Sequence, residues 1–139
     1  MTGEMVWRPA GMLLFAVLAC GPDGRPFPET RVYAHALFSS PDECALAQQH
    51  GIINCEQWAT FCASGRAEIV VTDIINPATY RVDDGIVTVR LAGPGDAPES
   101  MRFRLSADGT SMMDIGGTRT WTRRPDSEPV ADQSSCART

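Results

Sequence analysis

Three residue pairs, Ser64-Gly65, Asp84-Gly85 and Asp108-Gly109, each stand between two runs in which apolar and polar residues alternate. Asp-Gly tolerates the positive φ that both central positions of a tight hairpin need, and alternation with period two marks a half-buried strand. The runs are "EQWATFCASGRAEIVVTD", "TYRVDDGIVTVRL" and "MRFRLSADGTSMMDI". In the third, Met101, Phe103 and Leu105 share one face while Arg102 and Arg104 share the other, so one side meets a core and one meets water. Tight successive turns make sequence neighbours into spatial neighbours, which is an antiparallel meander.

The flanks extend that meander. "RVYAHALF" (Arg31 to Phe38) reads as a strand with Val32, Ala34, Ala36 and Phe38 on one face, and "TRTWTRR" supplies a last strand in which Trp121 keeps the register of Arg119 and Arg123. Between the first strand and the hairpins, "SSPDECALAQQHG" predicts one short helix: Ser40 caps, Pro41 takes the first helical position, Glu43 completes a capping box and Gly51 ends it. The fold expected is mainly all-β, a meander of about eight short strands. Such a sheet avoids exposed edges most simply by closing into a small barrel, with Arg31 to Phe38 pairing with the last strand. This layout is similar to the lipocalin-like, or calycin-like, small barrels of exported bacterial proteins. The similarity rests on "WATF" (Trp58 to Phe61), "YRVDDGIVTV" (Tyr80 to Val89), "FRLSADG" (Phe103 to Gly109) and the closing "WTR" (Trp121 to Arg123). It implies a barrel that in some relatives holds a small apolar ligand.

Near the start, "MLLFAVLAC" (Met12 to Cys20) is an uninterrupted apolar run of nine residues. A helix of that length rises about 14 Å against a hydrocarbon core of about 30 Å, too short to span. Arg8 and Pro9 precede the run and Gly21, Pro22 and Asp23 follow it, so it cannot be lengthened as a helix. A signal-peptide apolar region fits the length, and a buried element of an unexported domain is the competing reading. "VLAC" (Val17 to Cys20) resembles the lipobox of bacterial lipoproteins. That resemblance implies cleavage after Ala19 and lipidation of Cys20, the first mature residue. The organisation expected is a signal peptide over 1–19, a lipidated cysteine and flexible polar tether over 20–30, a barrel domain over 31–124 and a polar, Pro-broken tail over 125–139.

The chain holds five cysteines, Cys20, Cys44, Cys55, Cys62 and Cys136. An odd count in an exported protein requires a role for the fifth; with Cys20 lipidated, the other four can close two disulfides. An extended Glu56 to Cys62 would hold Cys55 and Cys62 about 23 Å apart at ~3.3 Å per residue. A disulfide needs a Cα separation of ~4.4 to 6.8 Å, so that pairing is disfavoured. Cys44 with Cys55 and Cys62 with Cys136 is favoured, and Cys44 with Cys62 and Cys55 with Cys136 is the alternative. Without export, Cys44, His50, Cys55 and Cys62 would instead form a candidate zinc set, although they lack the short ligand-pair spacing of most zinc sites. No metal and no cofactor is expected.

All twelve basic residues are Arg, and the net charge is -5. That charge offers no overall basic field to nucleic acid, and the lack of Lys removes Schiff-base and P-loop lysine chemistry. No enzyme is expected. The only histidines, His35 in a strand and His50 at a helix end, have structural explanations, and Asp83-Asp84 reads as turn chemistry. The best candidate binding residues are Trp121, Arg119 and Arg123, with Tyr80 and Trp58, which first of all read as the plug of one barrel end. The function expected is a non-catalytic binding or accessory module, anchored by lipid in the cell envelope and facing the periplasm. Its partners would be the membrane and either an envelope protein or a small ligand. Carriage of a small apolar or anionic ligand inside the barrel is the alternative.

Overall fold

The computed structural model describes residues 24–52, 54–71, 74–92, 100–125 and 136. Among the described residues these elements follow in order: β1 (Arg31–Ala36), α1 (Pro41–Gln49), β2 (Glu56–Phe61), β3 (Arg66–Val71), β4 (Ile74–Asp83), β5 (Ile86–Leu91), β6 (Ser100–Leu105), β7 (Ser111–Asp114) and β8 (Thr120–Arg123). Each strand pairs antiparallel with the next, and β8 returns to β1 through Tyr33 opposite Arg123 and Ala34 opposite Thr122. The meander therefore closes into the barrel that the turn spacing predicts.

The turns behave as their residues require. Asp84 and Gly85 both take positive φ, 46° and 71°, which lets the β4–β5 hairpin reverse within two residues. β4 begins five residues earlier than the Thr79 suggested by alternation, and it includes Pro77. Pro77 lies one residue beyond the last β4–β5 pair, Ala78 opposite Leu91, so its missing N–H interrupts no ladder on that side.

Eight strands enclose an interior just wide enough for side chains to fill. Tyr33, Phe61, Ile69, Val87, Val89, Phe103, Met112 and Trp121 are all fully buried there. On β6 the apolar face points inward as expected, with Phe103 buried and Arg102 and Arg104 exposed. On β1 the expectation is corrected: Tyr33, opposite in facing to Val32, Ala34 and Ala36, joins the core cluster. Ring size decides this, because Tyr33 reaches across to Phe61 with centroids 6.0 Å apart and its hydroxyl donates to the Gly109 carbonyl at 2.8 Å. The alanines are too small to fill that space.

The tether expected over 20–30 is also corrected over its described part. The Arg25 N–H donates to the Val82 carbonyl at 3.0 Å and the Val82 N–H donates back at 2.9 Å, a bridge on the stretch of β4 that runs past the start of β3. A Cβ on Gly24 would come within 2.7 Å of the Val82 carbonyl oxygen, so this approach needs glycine. Phe27 is buried as part of the core cluster, against Phe61 and Tyr80. Its large apolar ring gains more from that barrel mouth than from water.

α1 starts and stops on its sequence signals. The Ser40 Oγ accepts from the Glu43 N–H, and Glu43 reaches back to accept from the Ser39 N–H at 2.9 Å. Gly51, at φ 90°, lets its N–H bond the Gln48 carbonyl while the Ile52 N–H bonds Ala47. That double closure is a Schellman cap. Cys44 is the helix's buried residue and lies with its Cα 5.6 Å from that of Cys55, which fastens the helix beside the start of β2. Cys62 pairs with Cys136 at 5.4 Å. The structure thus holds the favoured pairing and leaves the four thiols unavailable to a zinc ion.

Candidate functional site

The candidate residues fall into three separate places. Trp121 and Arg119 meet at the barrel end where β7 runs into β8. β8 is too short to bury its flanks by itself, so its one large inward residue, Trp121, is clamped by side chains. Asp114, at the end of β7, accepts from Trp121 Nε1 at 2.8 Å through one oxygen and from Arg119 Nε at 2.6 Å through the other. Arg119 Nη1 then donates to the side-chain oxygen of the buried Gln57 at 3.3 Å. The Arg119 guanidinium lies 6.0 Å from the Trp121 ring, the outer limit of a cation-π contact. His35 packs obliquely against Trp121, centroids 5.6 Å apart, and its Nδ1–H donates to the Thr120 carbonyl at 2.8 Å. Since a carbonyl can only accept, that bond places the proton on Nδ1 and leaves Nε2 as the acceptor in the neutral ring.

This end carries an open cleft of about 260 Å³ lined by Ser100, Arg102, Phe103, Asp114, Gly117 and Arg119 among others. Arg119 is partly exposed and Asp114 largely covered. With both carboxylate oxygens and the indole N–H already bonded, the group is a satisfied polar plug. What it offers a solute is the exposed edge of one guanidinium.

Arg123 stands at the opposite end. There it donates to Glu29 at 3.0 Å, and Glu29 also faces Arg31 at 3.5 Å. The Arg31 guanidinium covers the Phe27 ring at 4.4 Å, and its Nε is buried with no hydrogen-bond partner among the described residues. Beneath lies Tyr80, whose hydroxyl donates to the Cys62 carbonyl at 2.8 Å and accepts from the Phe27 N–H at 3.0 Å. Burial holds the Tyr80 phenol above its ordinary pKa of 10.0, against smaller opposing effects from the Phe27 N–H and Arg31. Trp58 belongs to neither end: it lies between the inward Gln57 and Ala59, opposite Ala34 on β1 and Val70 on β3, and so faces outward.

The structure therefore brings together Trp121 with Arg119, sets Tyr80 and Arg123 at the other mouth, and leaves Trp58 outside. The residues that complete the two ends, Asp114, Gln57, Phe27 and Glu29, escape a sequence reading. Asp114 alternates correctly with Met112 for an inward position, but nothing local marks an inward acid; Phe27 sits among prolines that suggest a linker. Among the described residues no cluster of three or more His, Cys, Asp or Glu side chains is arranged to hold a metal ion, and no helix is long and apolar enough to cross a membrane. No protein-family model, no curated protein and no solved structure matches the chain.

Proposed function

We propose that this chain is an exported lipoprotein. It is cut after Ala19, acylated at Cys20, and holds its barrel at the periplasmic face of a cell-envelope membrane as a non-catalytic binding or accessory module of lipocalin-like type. The observation that carries the reading is the cysteine pairing. Cys44 with Cys55 and Cys62 with Cys136 account for four cysteines, and the one left over is Cys20, at the lipobox-like position. Disulfides belong to oxidising compartments, so the pairs and the address support each other. Cys20 and its apolar run lie outside the described residues.

The outer surface is the better place for binding. The interior is occupied by large side chains, and the hydroxyl of Tyr80 and the indole of Trp121 already bond protein partners. Interior carriage of a ligand would require displacing Phe27 or breaking the Asp114 clamp.

Replacing Cys20 by Ala tests the reading. Acyl labelling should disappear and the protein should leave the membrane fraction, while intact mass of the parent shows a lipid increment and two disulfides. Unchanged labelling and fractionation would overturn it.

A further inference from the structure

The outward positions of β4, β5 and β6 form one continuous face. The register sets Arg81 opposite Thr88 and Thr88 opposite Arg102; one step along, Thr79 faces Arg90 and Arg90 faces Ser100. Arg104 lies between Ile86 and Met113. At ~4.8 Å between strands, Arg81 and Arg102 stand roughly 10 Å apart with only a threonine between them. The cleft between Arg81 and Arg90, about 180 Å³, is lined by Thr79 and Thr88. Among the described residues, Arg81, Arg90, Arg102 and Arg104 make no ion pair or side-chain hydrogen bond, and Asp83 is the only acid at an outward position of these three strands, at the margin of the face. Four guanidinium groups without a partner among the described residues, on one side of a chain with net charge -5, are a local inversion of its field.

We infer that this arginine face docks on a membrane surface bearing anionic phospholipid headgroups. The inference rests on the anchor at Cys20, because the occupant is selected by reach. Arg25 bonds Val82, the residue next to Arg81, and Cys20 lies five residues before Arg25. Five residues span at most about 18 Å, so a lipid on Cys20 would hold β4 within that distance of the headgroups. Of the barrel's faces, the arginine face is therefore among those brought nearest. Guanidinium pairs well with phosphate oxygens. The apolar margin suits the same surface: Met113 beside Arg104 is 50% exposed and Ile75, further along β4, 55%.

The test uses the full-length Cys20→Ala chain, so that no acyl group masks the contribution of the face. Sedimentation with phosphatidylcholine vesicles is compared with vesicles that also contain phosphatidylglycerol. The N-terminal segment, with its amino terminus and Arg8, is the same in every variant, so the readout is the change between variants in preference for the anionic vesicles. Arg90→Gln/Arg102→Gln should lower that preference by tenfold or more, at about 1 kcal/mol per arginine near such a surface. Gln48→Glu/Gln49→Glu, the same net charge change on α1, should leave it intact, and raising the salt should abolish it. Equal loss in the two variants, or equal binding to both vesicles, overturns the inference; the latter would leave an acidic protein as the occupant. Near-ultraviolet circular dichroism and melting temperature establish that the arginine variant is folded. Acylation of the parent chain is scored separately, so failure of the anchor and failure of the face give different results.

Discussion

Tyr80 closes one barrel mouth with a single hydroxyl, because a phenol can donate and accept at once. Tyr80→Phe keeps the ring but leaves the Phe27 N–H and the Cys62 carbonyl without their buried partner. An unsatisfied buried group costs about 1 to 3 kcal/mol, and a denaturant titration should show a loss of that size. The raised phenol pKa has a defined consequence: the folded state holds its proton more tightly, so stability is full below pH 10 and falls as pH rises beyond it. Asp108 shows the opposite sign. Its carboxylate accepts from the Ser106 hydroxyl at 2.7 Å and from the Thr110 N–H at 3.0 Å, and its pKa is lowered from 3.8 to about 2. The β6–β7 turn therefore contributes stability above that ordinary value, lost as pH falls toward about 2. An NMR titration of the Asp108 carboxyl should place its midpoint near 2, and Asp108→Asn should remove that acid-side dependence.

At the level of elements, two disulfides hold pieces the barrel's own ladders do not reach. Cys44–Cys55 closes a separation of 11 residues and ties α1 to β2, whereas Cys62–Cys136 closes 74 and ties the chain's end beside β2. Loop-closure entropy predicts that Cys62→Ala/Cys136→Ala destabilises by about 4 kcal/mol and Cys44→Ala/Cys55→Ala by about 3 kcal/mol. Chemical denaturation of the two double variants measures the order, and the reverse order would show that strain or residual structure outweighs loop length. The helix itself was fully legible, since Ser40, Pro41, Glu43 and Gly51 act within a few residues of one another. The segment around Phe27 was not. Its prolines and charges describe a linker locally, and only the bridge to Val82 on β4 and the rings of Phe61 and Tyr80, against which Phe27 packs, make it part of the barrel.

For the molecule as a whole, alternation and three hairpin turns sufficed to foresee an eight-stranded closed meander, because both are short-range properties of the chain. The cysteine count likewise pointed to two disulfides. The contents of the two barrel ends were not foreseen. Asp114 reaches Trp121 and Arg119 on the far side of a turn, Gln57 reaches Arg119 across 62 residues, and Arg123 meets Glu29 across 94. The arginine face has the same origin: alternation already sets Arg102 and Arg104 on one side, but Arg81 and Arg90 join them only through strand register. By itself the sequence determined where strands turn and where the helix is capped, since each depends on neighbours a few residues apart. Only the tertiary structure decided which way β1 faces and which charges share a surface. Those outcomes depend on strand register and on the volume the interior must fill, quantities that exist only once the barrel has closed.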